Sequence, residues 1–147
     1  MGDTEKRSVA IVGSGPGGMY VAQALVEKAP DCRIDIFDRL PTPFGLIRGG
    51  VAPDHQHTKR VDRKYADTIT ENRQIRYIGN VTLGQDVSLD DLAAIYDAVV
   101  LAYGAPYDNK LGIPGEDKKN VFGSNAFVGW YNCHPDFKDL GPDLKID

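Results

Sequence analysis

The sequence predicts an α/β fold built around a parallel β-sheet, and three features near its N-terminus support that prediction. Four consecutive apolar residues, Val9–Val12, are typical of a buried parallel strand. They lead directly into a glycine-rich turn, residues 13–18, behind which a helical pattern starts. A second strand-like segment, Ile34–Phe37, then ends at the acidic residue Asp38. Strand, turn, helix, strand and acid follow one another in the order of a nucleotide-binding βα unit.

The glycine-rich turn has the G-x-G-x-x-G spacing of a dinucleotide-binding motif. In such a motif Gly13 permits a tight turn, Gly15 lets the backbone approach a pyrophosphate, and Gly18 allows close contact between helix and strand. N–H groups at the start of the following helix bind phosphate without a basic side chain. Asp38, about twenty positions after Gly18, stands where the motif places the acceptor for the adenosine ribose. A glycine turn followed by a solvated acid is the competing interpretation, and it does not account for this register.

The first unit is predicted as strand 9–13, helix 16–28 and strand 33–38. Residues 39–55 then show neither helical nor strand periodicity, and three prolines and three glycines keep them out of regular structure. Their apolar content favours an ordered loop wrapped on a ligand. An irregular loop that merely covers the core is the alternative.

Helical and strand patterns alternate over the rest of the chain. Val61, Tyr65 and Ile69 recur every four residues, which is typical of the buried face of a helix. Ser88 precedes two acids and is placed to cap another helix. The predicted elements are helix 57–72, strand 75–78, strand 81–87, a short helix after Ser88, strand 97–102 and helix 124–132.

Composition bounds the class of protein. The 147 residues provide room for one domain or part of one. The net charge of −4 argues against a nucleic-acid-binding protein, which needs a basic face. The sequence contains no apolar run near the roughly 18 residues of a membrane span, and its N-terminus lacks the apolar region of a signal peptide. Cys32 and Cys133 are more typical of free thiols than of a disulfide or a metal site.

Six segments extend the comparison beyond local patterns: GSGPGG, PTPFGLIRGGVAPDH, GNVTLG, YDAVVLAYGA, IPGED and FVGWYN. Together they resemble the N-terminal part of the adrenodoxin reductase family, the mitochondrial-type ferredoxin–NADP reductases. The resemblance runs from Val9 to about Leu144. GLIRGGVAPDH and FVGWYN carry most of it, because many unrelated nucleotide-binding proteins share the glycine motif.

This resemblance implies a flavoprotein with a Rossmann-like FAD-binding domain. It would take a hydride from NADPH onto FAD and pass electrons singly to a ferredoxin- or adrenodoxin-type iron–sulfur protein. No catalytic side chain is implied in this chain, since hydride transfer is the cofactor's own chemistry and His55 would orient or tune the flavin. The cofactor-binding residues implied are Gly13, Gly15, Pro16, Gly17, Gly18, Asp38, Arg39, Gly45, Leu46, Arg48, His55, Val81, Ala102, Tyr103 and Gly104.

The resemblance also implies an incomplete two-domain reductase. In the family a second glycine turn holds NADPH just after the stretch matched by Pro142–Leu144, and this sequence contains only one such turn. We therefore expect residues 1–147 to form the N-terminal part of the FAD-binding domain, without the NADP-binding domain and the C-terminal completion. An isolated chain of this kind is expected to be largely inactive, to retain FAD weakly and to self-associate through an open sheet edge.

Three other interpretations stay open. The flavin domain of a glutamate-synthase-like oxidoreductase would normally accompany a cysteine-rich iron–sulfur region, which two cysteines cannot supply. A non-catalytic nucleotide-binding or docking module is the second. A simple NAD-dependent dehydrogenase is the third, although the sequence lacks a suitable Tyr-x-x-x-Lys or His–Asp arrangement. The family resemblance implies the mitochondrial matrix, while the absence of a visible transit peptide leaves a cytoplasmic location open.

Overall fold

A computed structural model describes residues 6–145 and places a four-stranded parallel sheet at the centre of the chain. The strands are β1 (Ser8–Val12), β2 (Arg33–Phe37), β3 (Ile75–Ile78) and β4 (Ala98–Leu101), in the spatial order β3-β2-β1-β4. Each neighbouring pair is parallel, so the carboxyl ends of all four strands lie at one edge of the sheet. Residues 1–5 lie outside the described residues. The structure therefore does not bear on the expectation about a targeting segment at the N-terminus.

Six helices accompany the sheet in the described part of the chain. They are α1 (Pro16–Lys28), α2 (Gly45–Gly49), α3 (Gln56–Lys59), α4 (Val61–Glu71), α5 (Leu89–Ile95) and α6 (Ser124–Tyr131), followed by a 3₁₀ turn at Pro135–Phe137. Helices α1, α4 and α5 pack directly on the strands of the sheet. Among residues 6–145, no helix combines the length and the apolar character needed to cross a bilayer.

The hydrophobic core occupies both faces of the two central strands. On one face Ile11, Ile34 and Ile36 pack with Met19 of α1 and Tyr65 of α4, and all five are at most 1% exposed. The opposite face has a smaller cluster of Ala10, Val12, Phe37 and Leu92. Side chains alternate between faces along a strand, so a strand buried on both sides is apolar at successive positions, as the run in β1 predicted.

Several predicted elements are confirmed to within about one residue. The β1–α1–β2 unit, β3, β4 and α6 lie where the sequence placed them. Ser88 is the N-cap of α5, where its hydroxyl accepts a hydrogen bond from the Asp91 N–H at 3.0 Å. The Asp91 carboxylate in turn accepts from the Ser88 N–H at 3.1 Å, which completes a capping box.

The prediction of a strand over residues 81–87 is wrong. This segment closes into a turn around Gly84, whose φ of +86° is a left-handed conformation that glycine adopts readily. The Gly84 N–H donates to the carbonyl of Val87 at 2.8 Å, and the Thr82 N–H donates to the Asp86 carboxylate at 2.8 Å. The apolar side chains that suggested a strand instead pack from this turn onto the smaller core cluster.

Two further predictions need correction. The single helix expected at 57–72 is divided into α3 and α4 at Arg60, although Tyr65 is buried and Val61 packs against the core as expected. The segment predicted to lack regular structure contains α2. Phe44 has a φ of +89° and turns the chain into this short helix, a conformation that the local sequence pattern did not indicate.

A buried carboxylate lies in the middle of the sheet. Asp35 is fully buried, and its two oxygens accept hydrogen bonds from Arg76 at 2.6 and 2.7 Å and from the Tyr96 hydroxyl at 2.7 Å. Burial raises the pKa of Asp35, but the hydrogen bonds from Arg76 and Tyr96 outweigh it, so the net pKa lies below the ordinary value. The buried charge of Asp35 is thus paired with Arg76, whose side chain is 60% exposed.

Candidate functional site

A cavity of about 740 Å³ opens at the carboxyl ends of β1, β2 and β4. In open α/β sheets this edge is where ligands bind, because the strands end there and the loops that follow can diverge around a ligand. The glycine-rich turn after β1 and the acid after β2 both contribute to its walls. The sheet topology therefore brings together the two features on which the nucleotide-site prediction depended.

The glycine-rich turn is shaped by close backbone contacts. Gly13 has a φ of +106°, and a Cβ atom there would collide with the end of β4 at Ala102. A Cβ atom on Gly18 would collide with the carbonyl oxygen of Gly13. Both positions need glycine for the turn to form, which agrees with the roles assigned from the motif.

The outer side of the same turn is open. A Cβ atom on Gly15 would meet nothing within 4 Å, and one on Gly17 would lie 3.8 Å from the Cβ atom of Ala102. Gly15 is the N-cap of α1 and brings no capping side chain, and Pro16 at the first helical position has no N–H group. The remaining N–H groups of the first turn are left for an anion, at the positive end of a 13-residue helix.

Asp38 links the end of β2 to this turn. One carboxylate oxygen accepts hydrogen bonds from the Ser14 N–H at 2.9 Å and from the Ser14 hydroxyl, and the other accepts from the Leu40 N–H at 3.0 Å. Ser14 itself is fully buried. A carboxylate offers about four acceptor sites, so one remains for a ribose hydroxyl. Asp38 thus has a scaffold role in addition to the predicted one.

A tyrosine behind Asp38 stays protonated. Burial raises the pKa of Tyr77 to about 12, and the negative charge of Asp38 adds to the effect. The Tyr77 hydroxyl donates to the carbonyl oxygen of Leu40 at 2.9 Å. The loop that leaves β2 is therefore held by Tyr77 of β3 as well as by the contact of Asp38 with the glycine-rich turn.

Helix α2 forms another wall and is held at both ends. At its start the Phe44 N–H donates to the carbonyl and hydroxyl oxygens of Ser14 at 3.1 and 3.2 Å. At its end Lys59 Nζ donates to the carbonyls of Ile47 and Arg48, each at 3.1 Å. Lys59 thereby satisfies carbonyls that a helix terminus leaves without partners.

Beside the part of the cavity that Arg39 lines, an ion pair joins two distant parts of the chain. The Arg39 guanidinium donates to the Asp136 carboxylate through both terminal nitrogens, at 3.0 and 2.5 Å. The hydrogen bond from Arg39 holds the pKa of Asp136 below its ordinary value, and the same hydrogen bond raises the pKa of Arg39. The loop after β2 and the 3₁₀ turn are connected by this fork.

Most residues predicted to bind the cofactor line the cavity. They are Gly13, Gly15, Pro16, Gly17, Asp38, Arg39, Gly45, Leu46, Val81, Ala102, Tyr103 and Gly104. Three others do not line it. Gly18 lies beneath the turn, Arg48 donates to the Pro43 carbonyl at 3.0 Å, and His55 is an exposed residue at the start of α3.

Sequence reasoning missed part of the lining. The missed residues are Val12, Phe37, Leu40, Gly49, Thr82, Leu83, Ala105, Pro106, Asn125, His134 and Phe137. Some of them neighbour predicted positions and follow from them. The last three lie far along the chain, and the only signal was the FVGWYN segment, which pointed to this region without assigning a contact.

Comparisons with known proteins agree with this geometry. A family profile described as an NAD(P)-binding Rossmann-like domain matches residues 11–66. The chain is 50% identical over 137 residues to the mitochondrial NADPH:adrenodoxin oxidoreductase of Arabidopsis thaliana. This alignment covers 93% of this chain and 28% of that protein. It is 46% identical over 139 residues to the human mitochondrial protein of the same name, covering 95% of this chain and 28% of that protein.

Solved structures give the same result for the fold. FprA of Mycobacterium tuberculosis in complex with NADPH superposes with a TM-score of 0.91 at 42% identity, over 95% of this chain and 32% of that one. FprA of Mycobacterium tuberculosis is named NADPH-ferredoxin reductase, and its sequence is 43% identical to this chain over 142 residues. The chain thus spans less than a third of the length of these relatives.

Proposed function

The chain belongs to the adrenodoxin reductase family, as its 44–50% identity to mitochondrial members shows, and on that premise we propose that it builds the ADP-binding side of an FAD site. The parent enzyme would draw electrons from NADPH and deliver them to a ferredoxin- or adrenodoxin-type iron–sulfur protein. We also propose a mitochondrial location, since the Arabidopsis thaliana and human relatives named above are mitochondrial proteins.

One observation carries this proposal: the open face of Gly15 and the carboxylate of Asp38 line the same cavity. The first would receive the pyrophosphate and the second the adenosine ribose. The cavity also has apolar walls, including Leu46 and Val81, which would exclude water from the rest of the cofactor. The residues present therefore fit a dinucleotide of this kind.

Bound FAD would supply the redox chemistry by accepting a hydride and releasing electrons one at a time. The chain's own residues would bind and orient. The N–H groups at the start of α1 would hold the phosphates, and the carboxylate of Asp38 would accept from the ribose while keeping Ser14 and Leu40 in place. No proton transfer by a side chain of this chain is part of the proposal.

We also propose which part of the parent enzyme this chain supplies. Residues 1–147 would be the N-terminal part of the FAD-binding domain, and the chain by itself would have little or no reductase activity. Dye reduction by the purified chain with NADPH and FAD tests this directly. A rate typical of complete flavoprotein reductases would contradict it.

FAD binding can be tested by the visible absorption spectrum of the purified chain. The spectrum is recorded before FAD is added, and again after FAD has been added and the free cofactor removed. We expect only weak flavin bands to remain with the unmodified chain and none with Gly15→Trp, because a side chain at that position enters open space in the cavity. Ala24→Trp is the matched control, since Ala24 is exposed on the same helix and does not line the cavity.

Two outcomes would count against the proposal. A folded chain that retains no flavin would show that these residues do not suffice for the site. Equal flavin retention by Gly15→Trp would show that the ligand lies elsewhere. Size-exclusion chromatography of the same samples tests self-association, which we propose to occur through the outer edge of β4.

A further inference from the structure

We propose that Asp136 is a positioning residue that fixes the Arg39 guanidinium as a wall at the adenosine end of the cavity. The inference rests on the proposed function, because it assigns that end to the adenosine of a dinucleotide. Asp136 does not itself line the cavity, whereas Arg39 does and directly follows Asp38. Asp136 would therefore act on the ligand through Arg39.

The geometry of the pair favours a fixed guanidinium. Both terminal nitrogens of Arg39 donate to the two carboxylate oxygens of Asp136, a bidentate arrangement that sets the plane of the group as well as its position. The Arg39 side chain is 36% exposed, so without this partner it would move among many rotamers. Asp136 removes that freedom before any ligand binds.

Asp136 is itself on a supported segment. Its N–H group donates to His134 Nδ1 at 3.2 Å, and the rings of His134 and Phe137 on either side lie 5.3 Å apart. Phe137 packs so closely on Gly129 that a Cβ atom there would collide with its ring, and a Cβ atom on Gly49 would lie 2.6 Å from His134. The 3₁₀ turn is thus seated on both α6 and α2.

The chemistry of the guanidinium identifies the class of ligand. A planar guanidinium stacks on aromatic faces, and its N–H groups that do not point to Asp136 remain available as donors. A purine beside the ribose that Asp38 would bind offers both a flat face and ring acceptors. We therefore assign the wall to adenosine-containing nucleotides such as ADP and FAD. Because Asp136 already orders the Arg39 side chain, these ligands would bind without the entropic cost of ordering it.

The test is a double-mutant cycle on ADP affinity, measured by calorimetry with the full chain. We expect Asp136→Asn to weaken ADP binding about three- to fivefold, the range for a partly exposed ion pair. Arg39→Met should weaken it by at least as much. The double variant should bind no more weakly than Arg39→Met alone, because the aspartate acts only through the arginine.

Two controls separate positioning from a general loss of structure. Asp136→Glu keeps the carboxylate and should restore affinity to within about twofold of the unmodified chain. Asp139→Asn removes an exposed acid three residues further along that does not line the cavity, and it should leave affinity unchanged. Circular dichroism at the temperature of the titration identifies any variant that has lost its fold.

Each remaining outcome overturns a specific statement. Unchanged affinity in Asp136→Asn, or multiplied effects in the double variant, would overturn the role of Asp136. An ADP affinity of Asp136→Glu that is no higher than that of Asp136→Asn would also overturn the role of Asp136. Absence of ADP binding by the folded, unmodified chain would overturn the proposed function, and that result is seen before any variant is compared.

Discussion

Residues 8–102 and residues 103–145 are stabilised in different ways. Within the described chain, every apolar side chain that is buried lies in the first region. The second region exposes large apolar side chains, among them Tyr107 at 69% and Leu111 at 74%. Phe122, Trp130 and Tyr131 cluster around Phe127 instead of joining the sheet.

Polar contacts take the place of a core in the second region. Asp108 accepts hydrogen bonds from the N–H groups of Asn125 and Ala126 at 3.0 and 2.9 Å, and so caps the start of α6. Asp143 accepts from Lys119 Nζ at 2.8 Å and anchors the end of the described chain. Such contacts set local geometry but contribute little to global stability, because they are solvent-exposed. The first region thus determines whether the chain folds, and the second how the cavity is covered.

The largest expected effect breaks the first region. Gly18→Val should prevent folding or cost more than about 3–5 kcal/mol, because the new Cβ atom collides with a backbone carbonyl that cannot move. Gly15→Val is the matched control, and it should fold normally because its side chain enters open space. Thermal unfolding followed by circular dichroism compares the two. Equal stability of the two variants would contradict the described turn.

The next effect concerns the charge within the core. Asp35→Ala should destabilise the chain by about 2–4 kcal/mol in urea titrations, since it removes a buried acceptor and leaves the Tyr96 hydroxyl without its partner. Asp31→Ala changes an exposed acid before the same strand and should have almost no effect. Similar losses in both variants would mean that burial of Asp35 does not decide the outcome.

The same carboxylate gives a pH dependence. The pKa of Asp35 in the folded chain lies below its ordinary value of 3.8, so its contribution to stability is complete above about pH 3.8. That contribution is lost as the pH falls from there through the lower folded value. Asp35→Asn should therefore show a smaller loss of stability on acidification than the unmodified chain. Identical acid titrations of the unfolding free energy would contradict this assignment.

A smaller effect is expected where the first region meets the cavity. Lys59→Met should cost about 1 kcal/mol, because two carbonyls at the end of α2 lose a partly buried donor. FAD retention should fall with it, since Gly45 and Leu46 of α2 line the cavity. Lys64→Met on the neighbouring helix is the control and should retain FAD as the unmodified chain does. Loss of FAD from both variants would indicate a general charge effect.

The smallest global effect is expected in the second region. Asp108→Ala removes the cap of α6 and should lower the unfolding free energy by less than about 1 kcal/mol. Amide exchange around residues 124–127 should nevertheless accelerate, because the segment can open without the sheet. Asp117→Ala, at an exposed acid elsewhere in this region, should change neither measurement. A large drop in global stability would show that the two regions unfold together.

This contrast also explains what the sequence could predict. The β1–α1–β2 unit was predictable because its signals are local: an apolar run, a glycine turn and an acid at a fixed spacing. The turn around Gly84 was mistaken for a strand because its apolar residues face the core in either conformation. The partnership of Arg39 with Asp136 could not be predicted, because it joins residues 97 positions apart and neither residue alone signals the other.

The open face of Gly15 makes the site accessible to selective chemistry. Gly15→Cys would place a thiol at the positive end of α1, where its pKa falls and it reacts at neutral pH. Burial raises the pKa of Cys32, the negative charge of Asp97 adds to this, and Cys32 should stay unmodified. With Cys133→Ser removing the exposed thiol, the rate of alkylation would report directly on whether a nucleotide occupies the turn.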